Sequence, residues 1–257
     1  MNILIIEPYL TGSHRSWAEG YIRFSRHDVD LLAMPGRYWK WRMHGGAITL
    51  AAQFLDRKSD PDLILATDML DLTTFLALTR QRTSGIPSAV YFHENQISYP
   101  WSPRDRDIHH KRDKHYGFIN FSSALAADAL AFNSAYHRNT FLAELPRLLK
   151  NFPDFRLLEK VETLAAKSQV LHVGLDLTSP SVTNHAVQKS EQDSGVPVIL
   201  WNHRWEYDKN PDEFFEALNR LVDLSVDFKV VLLGEHFSHR PDVFDEAKRK
   251  LGDRLKH

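Results

Sequence analysis

The chain has 257 residues, 43% of them hydrophobic, which is enough for one large domain or two ordinary ones around a sizeable core. Its 32 Lys and Arg nearly cancel 33 Asp and Glu, which excludes a global positive field, so any nucleic-acid contact has to come from local clustering. There is no cysteine, hence no disulfide, thiolate nucleophile or cysteine-based zinc site; this fits a reducing compartment, and the cytoplasm is the default expectation.

The chain opens on Met-Asn-Ile-Leu-Ile-Ile, without a basic stretch, and reaches the acidic Glu7 at once, so the segment reads as a buried strand rather than a signal peptide. No apolar run approaches the roughly 20 residues that a membrane helix needs, and a soluble protein without membrane association is expected. Glu7 to His14 then forms a strand-to-helix loop with one glycine, Gly12, beside Ser13 and His14. Loops at the carboxyl ends of strands are where open α/β sheets bind ligands, although the same residues suit an ordinary turn. Neither G-x-G-x-x-G nor the phosphate-binding G-x-x-x-x-G-K-[ST] is present.

Further short apolar runs at 29–33, 63–66, 89–92, 129–132 and 170–173 suit parallel strands buried on both faces. Helix-length stretches at 16–24, 72–79, 115–127 and 135–145 alternate with them, and the sum is a doubly wound α/β sheet. Between the second and third strands, Trp39, Lys40, Trp41 and Arg42 interleave aromatics with cations in what reads as a loop. Such a mixture suits stacking on bases and pairing with phosphates, or equally a core-packed tryptophan pair. Tyr91-Phe92-His93-Glu94-Asn95-Gln96 leaves another strand at the sheet edge that carries Gly12. HExxH is excluded by Ile97, leaving a hydroxyl-binding or proton-handling site, or a polar loop with a capping asparagine.

The segment 104–115 carries Arg104, Arg106, Lys111 and Arg112 among acids and histidines: a second candidate RNA contact, or a solvated charge run. Its histidines lack the partners of a metal site, and no metal is expected. Asn133 and Ser134 follow the 129–132 strand.

A polar stretch over 178–195 reads as a linker between a domain at 1–177 and a second unit at 196–257. That unit holds strands at 196–201 and 229–233, with helices opening at Pro211 and Pro241. Two strands are too few for an independent sheet, so the second domain is expected to be incomplete here. Arg204 and Lys209 flank the loop before the Pro211 helix, where two cations and free backbone amides would clamp a diphosphate; pairing with Glu206 and Asp208 is the plainer alternative.

Tyr91 to Gln96 with Tyr99-Pro100, Phe132-Asn133-Ser134, the run from His203 to Pro211 followed by Phe214-Phe215, and Leu233-Gly234-Glu235 with Phe237 together resemble the tRNA-queuosine alpha-mannosyltransferase family. The resemblance implies two facing Rossmann-like domains of the GT-B type and a retaining, metal-independent glycosyltransferase without a cofactor. It implies transfer of mannose from GDP-mannose to queuosine in the anticodon of tRNA-Asp. Gly12 would face the donor phosphates with Ser13 and His14 beside it, and His93 would contact the transferred sugar with Glu94 and Asn95 near it, as would Asn133 and Ser134. Arg204 and Lys209 would hold the diphosphate. The family's chain continues into a Glu-rich loop gripping nucleoside and sugar, which the sequence does not reach. Two other functions suit the same residues: a hexosyltransferase acting on a lipid or small molecule, and a non-catalytic tRNA-binding module.

Overall fold

The structure is a computed structural model that describes residues 1–102, 105, 107, 114–176, 195–235 and 241–256. It divides into two compact units, the first Met1–Trp101 with Asp105–Asp176, the second containing residues 195–256. The 178–195 stretch and Phe237 lie almost wholly outside the described residues.

In the first unit six strands form one parallel sheet: β1 (Asn2–Leu10), β2 (Asp28–Pro35), β3 (Leu63–Thr67), β4 (Ser88–Phe92), β5 (Ala129–Phe132) and β6 (Ser168–Val170), in the order β2-β1-β3-β4-β5-β6. The sixth strand is shorter than expected and ends at Val170; beyond it only the Leu171 amide still reaches the Phe132 carbonyl, at 2.8 Å. Successive side chains of a strand alternate between faces, which explains why β1 needs apolar residues throughout. Leu4 and Ile6 enter the larger core with Phe54, Phe75, Phe92 and Phe132, while Ile3 and Ile5 pack with Trp17, Leu65 and Tyr91 on the other side. Helices α1 (Gly12–Phe24), α2 (Trp39–Leu55), α3 (Leu72–Thr83), α4 (Lys114–Ala126), α5 (Ala135–Leu149) and α6 (Lys160–Ala166) cover the sheet.

The segment expected as an aromatic and basic loop is instead the first turn of the 17-residue α2. The helix faces the core through Met43, Ala47, Leu50, Ala51 and Phe54, all at most 2% exposed, and that burial overrides two mid-helix glycines, Gly45 and Gly46.

The second unit holds three parallel strands rather than two: β7 (Val198–Asn202), β8 (Lys229–Leu233) and the two-residue β9 (Leu255–Lys256), with α7 (Pro211–Asp223) and α8 (Val243–Leu251). Its core is aromatic: Trp201, Trp205, Phe215, Phe228 and Phe244 are all buried, with Trp205 and Phe244 stacked at 4.5 Å. Gly234 closes β8 against the loop after β7. Its φ is +124°, and a Cβ there would sit 2.0 Å from the His203 carbonyl oxygen, so no other residue fits unchanged. Among the described residues no helix is long and apolar enough to cross a membrane.

Candidate active site

In the strand order of the first unit, β1 and β3 are neighbours whose connections run in opposite directions along the sheet, and the crevice at their carboxyl ends is where such sheets take ligands. Three polar residues converge there from three strands: Glu7 from β1, Asp68 just past β3 and His93 just past β4.

Glu7 is fully buried. Its Oε1 accepts from the Tyr9 amide at 2.7 Å, and its Oε2 meets Nδ1 of His14, in the first turn of α1, at 2.8 Å. Gly12 makes that turn possible. It sits at φ +50° with open space where a Cβ would be, so its role is backbone freedom and not close packing. Burial pushes the His14 imidazole down, but the hydrogen bond and charge of Glu7, with Asp68 and Glu94 behind it, outweigh burial and hold the ring up at about 9.

His93 shows the opposite state. Its ring is walled by His14 at 4.3 Å, Trp17 edge-on at 4.7 Å and Tyr91 at 4.8 Å, and Trp17 and Tyr91 themselves stack at 4.6 Å. Burial, then the charges of His14 and His137, pushes it down to about 3. Two charged rings at this spacing would repel by about 4 kcal/mol at an effective dielectric near 20, so only one of them holds a proton. The backbone of His93 is pinned on both sides: its amide donates to Asp68 Oδ1 at 2.8 Å, and its carbonyl accepts from Asn133 Nδ2 at 2.7 Å. Asn133 Oδ1 also meets His137 Nδ1 at 3.0 Å, and burial pushes His137 down to about 4.

Asp68 is fully enclosed, and burial drives its carboxyl well above the usual carboxylate range. His93 Nε2, His137 Nε2 and Asp68 Oδ2 are buried without a hydrogen-bond partner among the described residues, a concentration of unsatisfied polar atoms that marks a site built for a ligand. Glu7, His14 and His93 offer donor atoms mutually within 4.8 Å, the spacing of a metal site. Their chemistry points elsewhere, because Glu7 and His14 already neutralise each other and a ligating imidazole has to be neutral.

The residues singled out from sequence divide by what they touch. His14 and His93 come together; Glu94 accepts from Gln96 Nε2 at 3.0 Å at the rim. Asn95 is buried and shapes the turn, its Oδ1 accepting from the Ile97 and Ser98 amides. Ser134 caps α5 through the His137 amide. Ser13 is an exposed residue of the first turn of α1. Glu7 and Tyr91 open motifs singled out from the sequence, without a role of their own there; Asp68, Trp17 and His137 were not foreseen, although Asp68 closely follows an apolar strand.

Among the candidate RNA contacts, Trp41 is 62% exposed, which leaves it open to a partner. Arg42 is not open: it is buried, and its Nε donates to the Pro35 carbonyl, so it braces the entry to α2. Lys40 is held at 2.5 Å by both Asp105 and Asp107, whose hydrogen bonds outweigh burial and raise its ammonium above the ordinary lysine value. Trp39 packs with Trp101 and Tyr116. Arg104, Arg106, Lys111 and Arg112 lie outside the described residues. Next to them Lys114, His115, Tyr116 and Phe118 line a cavity of about 580 Å³, where the His115 and His44 rings stack at 4.5 Å.

In the second unit Arg204 and Lys209 converge on one acid. Lys209 Nζ lies 2.8 Å and Arg204 Nη2 4.0 Å from Asp208 Oδ2, and Arg204 also meets Glu206 at 3.2 Å. Asp208 is 3% exposed, whereas the Arg204 side chain is 46% exposed, so the acid anchors two cations that stay open to solvent. They stand just before α7, which Pro211 opens with its free amides.

The fold is shared with a structure described as trehalose-6-phosphate from E. coli bound with UDP-2-fluoro glucose, at TM-score 0.59 and 12% identity, covering 99% of this chain and 69% of the other. It is shared too with an alpha,alpha-trehalose-phosphate synthase (UDP-forming) from Burkholderia xenovorans in complex with glucose-6-phosphate, at TM-score 0.53 and 12% identity, covering 98% and 70%. Residues 2–175 match the family described as tRNA-queuosine alpha-mannosyltransferase N-terminal. The tRNA-queuosine alpha-mannosyltransferase of Drosophila melanogaster is 33% identical over 258 residues, covering 99% of this chain and 67% of that protein. With a doubly wound sheet of the GT-B class and a site at its switch point, the chain belongs to the tRNA-queuosine alpha-mannosyltransferase family and is a glycosyltransferase.

Proposed function

We propose that the protein transfers mannose from GDP-mannose, with retained configuration, to a hydroxyl of queuosine in the anticodon of tRNA-Asp. The observation that carries the reading is His93 at the sheet's switch point, walled by His14, Trp17 and Tyr91 and with its Nε2 without a partner among the described residues, within a chain of this family. A neutral imidazole both donates and accepts a hydrogen bond, which suits sugar hydroxyls better than phosphate.

In the proposed reaction the bond from the sugar's anomeric carbon to the diphosphate breaks, the acceptor hydroxyl bonds that carbon, and its proton leaves with GDP. Arg204 and Lys209 stabilise the diphosphate as it departs, charge that grows along the reaction and is met by preorganised cations without a metal. The anticodon arm rests on the first unit, where exposed Trp41 and the cavity at His115 offer surfaces for bases to stack.

The test is direct. The protein is incubated with GDP-mannose labelled in the sugar and with tRNA that contains or lacks queuosine. Label should enter only queuosine-containing tRNA, and only from this donor. Equal labelling of both tRNAs, or transfer from another nucleotide sugar alone, would overturn the reading.

A further inference from the structure

Glu7 and His14 are seven residues apart in sequence yet make one buried ion pair directly behind His93. A buried carboxylate is tolerated only when paired, and among the described residues His14 is the cation that Glu7 meets. The His14 ring then lies against the His93 ring at 4.3 Å with a tilt of 36°. The other groups facing this pair are Tyr9 from β1, Asp68 past β3, Tyr91 from β4, Glu94 beside His93 and, through His93, His137 of α5.

The geometry points to His14, not His93, as the charged imidazole of the site, with Glu7 and His14 acting together as positioning residues that hold the His93 ring and keep it an uncharged hydrogen-bonding group. This rests on the reading that His93 meets the transferred sugar. A carboxylate beside His93 would otherwise draw a proton onto it, and an imidazolium has no acceptor nitrogen left for a hydroxyl. Pairing Glu7 with His14 consumes that negative charge, and the adjacent positive ring then opposes protonation of His93. The stack also fixes the ring plane, which Trp17 and Tyr91 complete.

The experiment is a nitrogen-15 NMR titration of the histidine rings of the 257-residue chain from about pH 4 to about pH 10, with H14Q and H93Q assigning the two signals. In the wild-type chain the His14 ring should stay protonated until about pH 9, and the His93 ring neutral down to the lowest pH at which the chain remains folded. In E7Q the His14 ring should lose its charge below neutrality and His93 should take up a proton at a higher pH than before.

In the transfer assay, E7Q and H14Q should lower kcat by about 10- to 100-fold with KM for tRNA within about twofold, the pattern of a misplaced sugar contact and not of a lost RNA contact. A wild-type His14 titrating near 6.5, or a charged His93 at neutral pH, would overturn the inference. Saturable Zn²⁺ binding that perturbs both rings would also overturn it, since the trio would then be a ligand set. Correct ring states in a protein that transfers no sugar would sink the proposed function and leave the pair standing; an active enzyme with ordinary titrations would do the reverse.

Discussion

Two ends of sheets in this chain gather charge, and they do so in opposite ways. Behind His93 the charges are buried, so each ring's protonation is decided by its neighbours: a fully enclosed carboxylate raises one imidazole to about 9 while the resulting cation helps depress the next to about 3. At Arg204 and Lys209 one enclosed acid, Asp208, steadies two cations that remain open to water. The first arrangement fixes protonation and orientation; the second leaves two cations, balanced by Asp208 and Glu206, open to an arriving anion. Solvent screens the second and hardly touches the first.

The largest effect that would break the comparison is expected at the Arg204 end. If the solvent-facing cations hold the diphosphate, Arg204→Ala should remove about 2 to 4 kcal/mol of transition-state stabilisation, read as kcat/KM in the transfer assay, and Lys209→Ala should fall in the same range. Unchanged kcat/KM in both would leave Arg204 and Lys209 as members of surface ion pairs with Glu206 and Asp208. Of similar size but purely structural is Gly234→Ala, where positive φ and the clash with His203 should cost about 3 kcal/mol or more in the unfolding of the second unit.

At the buried end, pH replaces mutation as the probe. His14 is raised when folded, so its contribution is present in full below about 6.5 and is lost as pH climbs through about 9; a shift of that size is worth about 3 kcal/mol. His93 and His137 are depressed when folded, so their contribution is present above about 6.5 and fades as pH falls toward 3 to 4. Thermal stability of wild type should therefore weaken on both sides of neutrality, and E7Q should flatten the alkaline limb and, by relieving the depression of His93, soften the acid one. The last probe is Asp68→Asn. An enclosed acid with a raised pKa penalises folding once pH exceeds its ordinary value near 3.8, so the asparagine variant should gain on wild type progressively as pH rises from acid to neutral. A gain that shrinks with rising pH would mean that Asp68 is a stabilising carboxylate.

The strands were legible because a parallel sheet buried on both faces demands unbroken apolar runs, and 2–6, 63–66 and 129–132 carry them. Helix α2 was not, since its start lacks a capping side chain: Tyr38, in left-handed backbone at φ 57°, takes that place, and two glycines follow within the helix. The two-residue β9 is too short to carry a pattern. His93 announced itself by following a strand directly. Glu7 and His14 were singled out with their loop, but their pairing was not, because nothing in the sequence tells that the loop between them folds back. Asn95 and Ser134 were read as ligand contacts because capping and turn residues share the chemistry of binding residues.

The strand order has a consequence for how the molecule comes into being. From β1 onward, β3, β4, β5 and β6 each add to the edge left by the strand before, so a chain emerging from the ribosome meets each new strand's partner already in place. Glu7, His14, Asp68 and His93 are all delivered by the time β4 has docked, and the Asn133 and His137 clamp arrives with β5 and α5. The buried charges are thus assembled early in synthesis, while Arg204 and Lys209 are still to be translated.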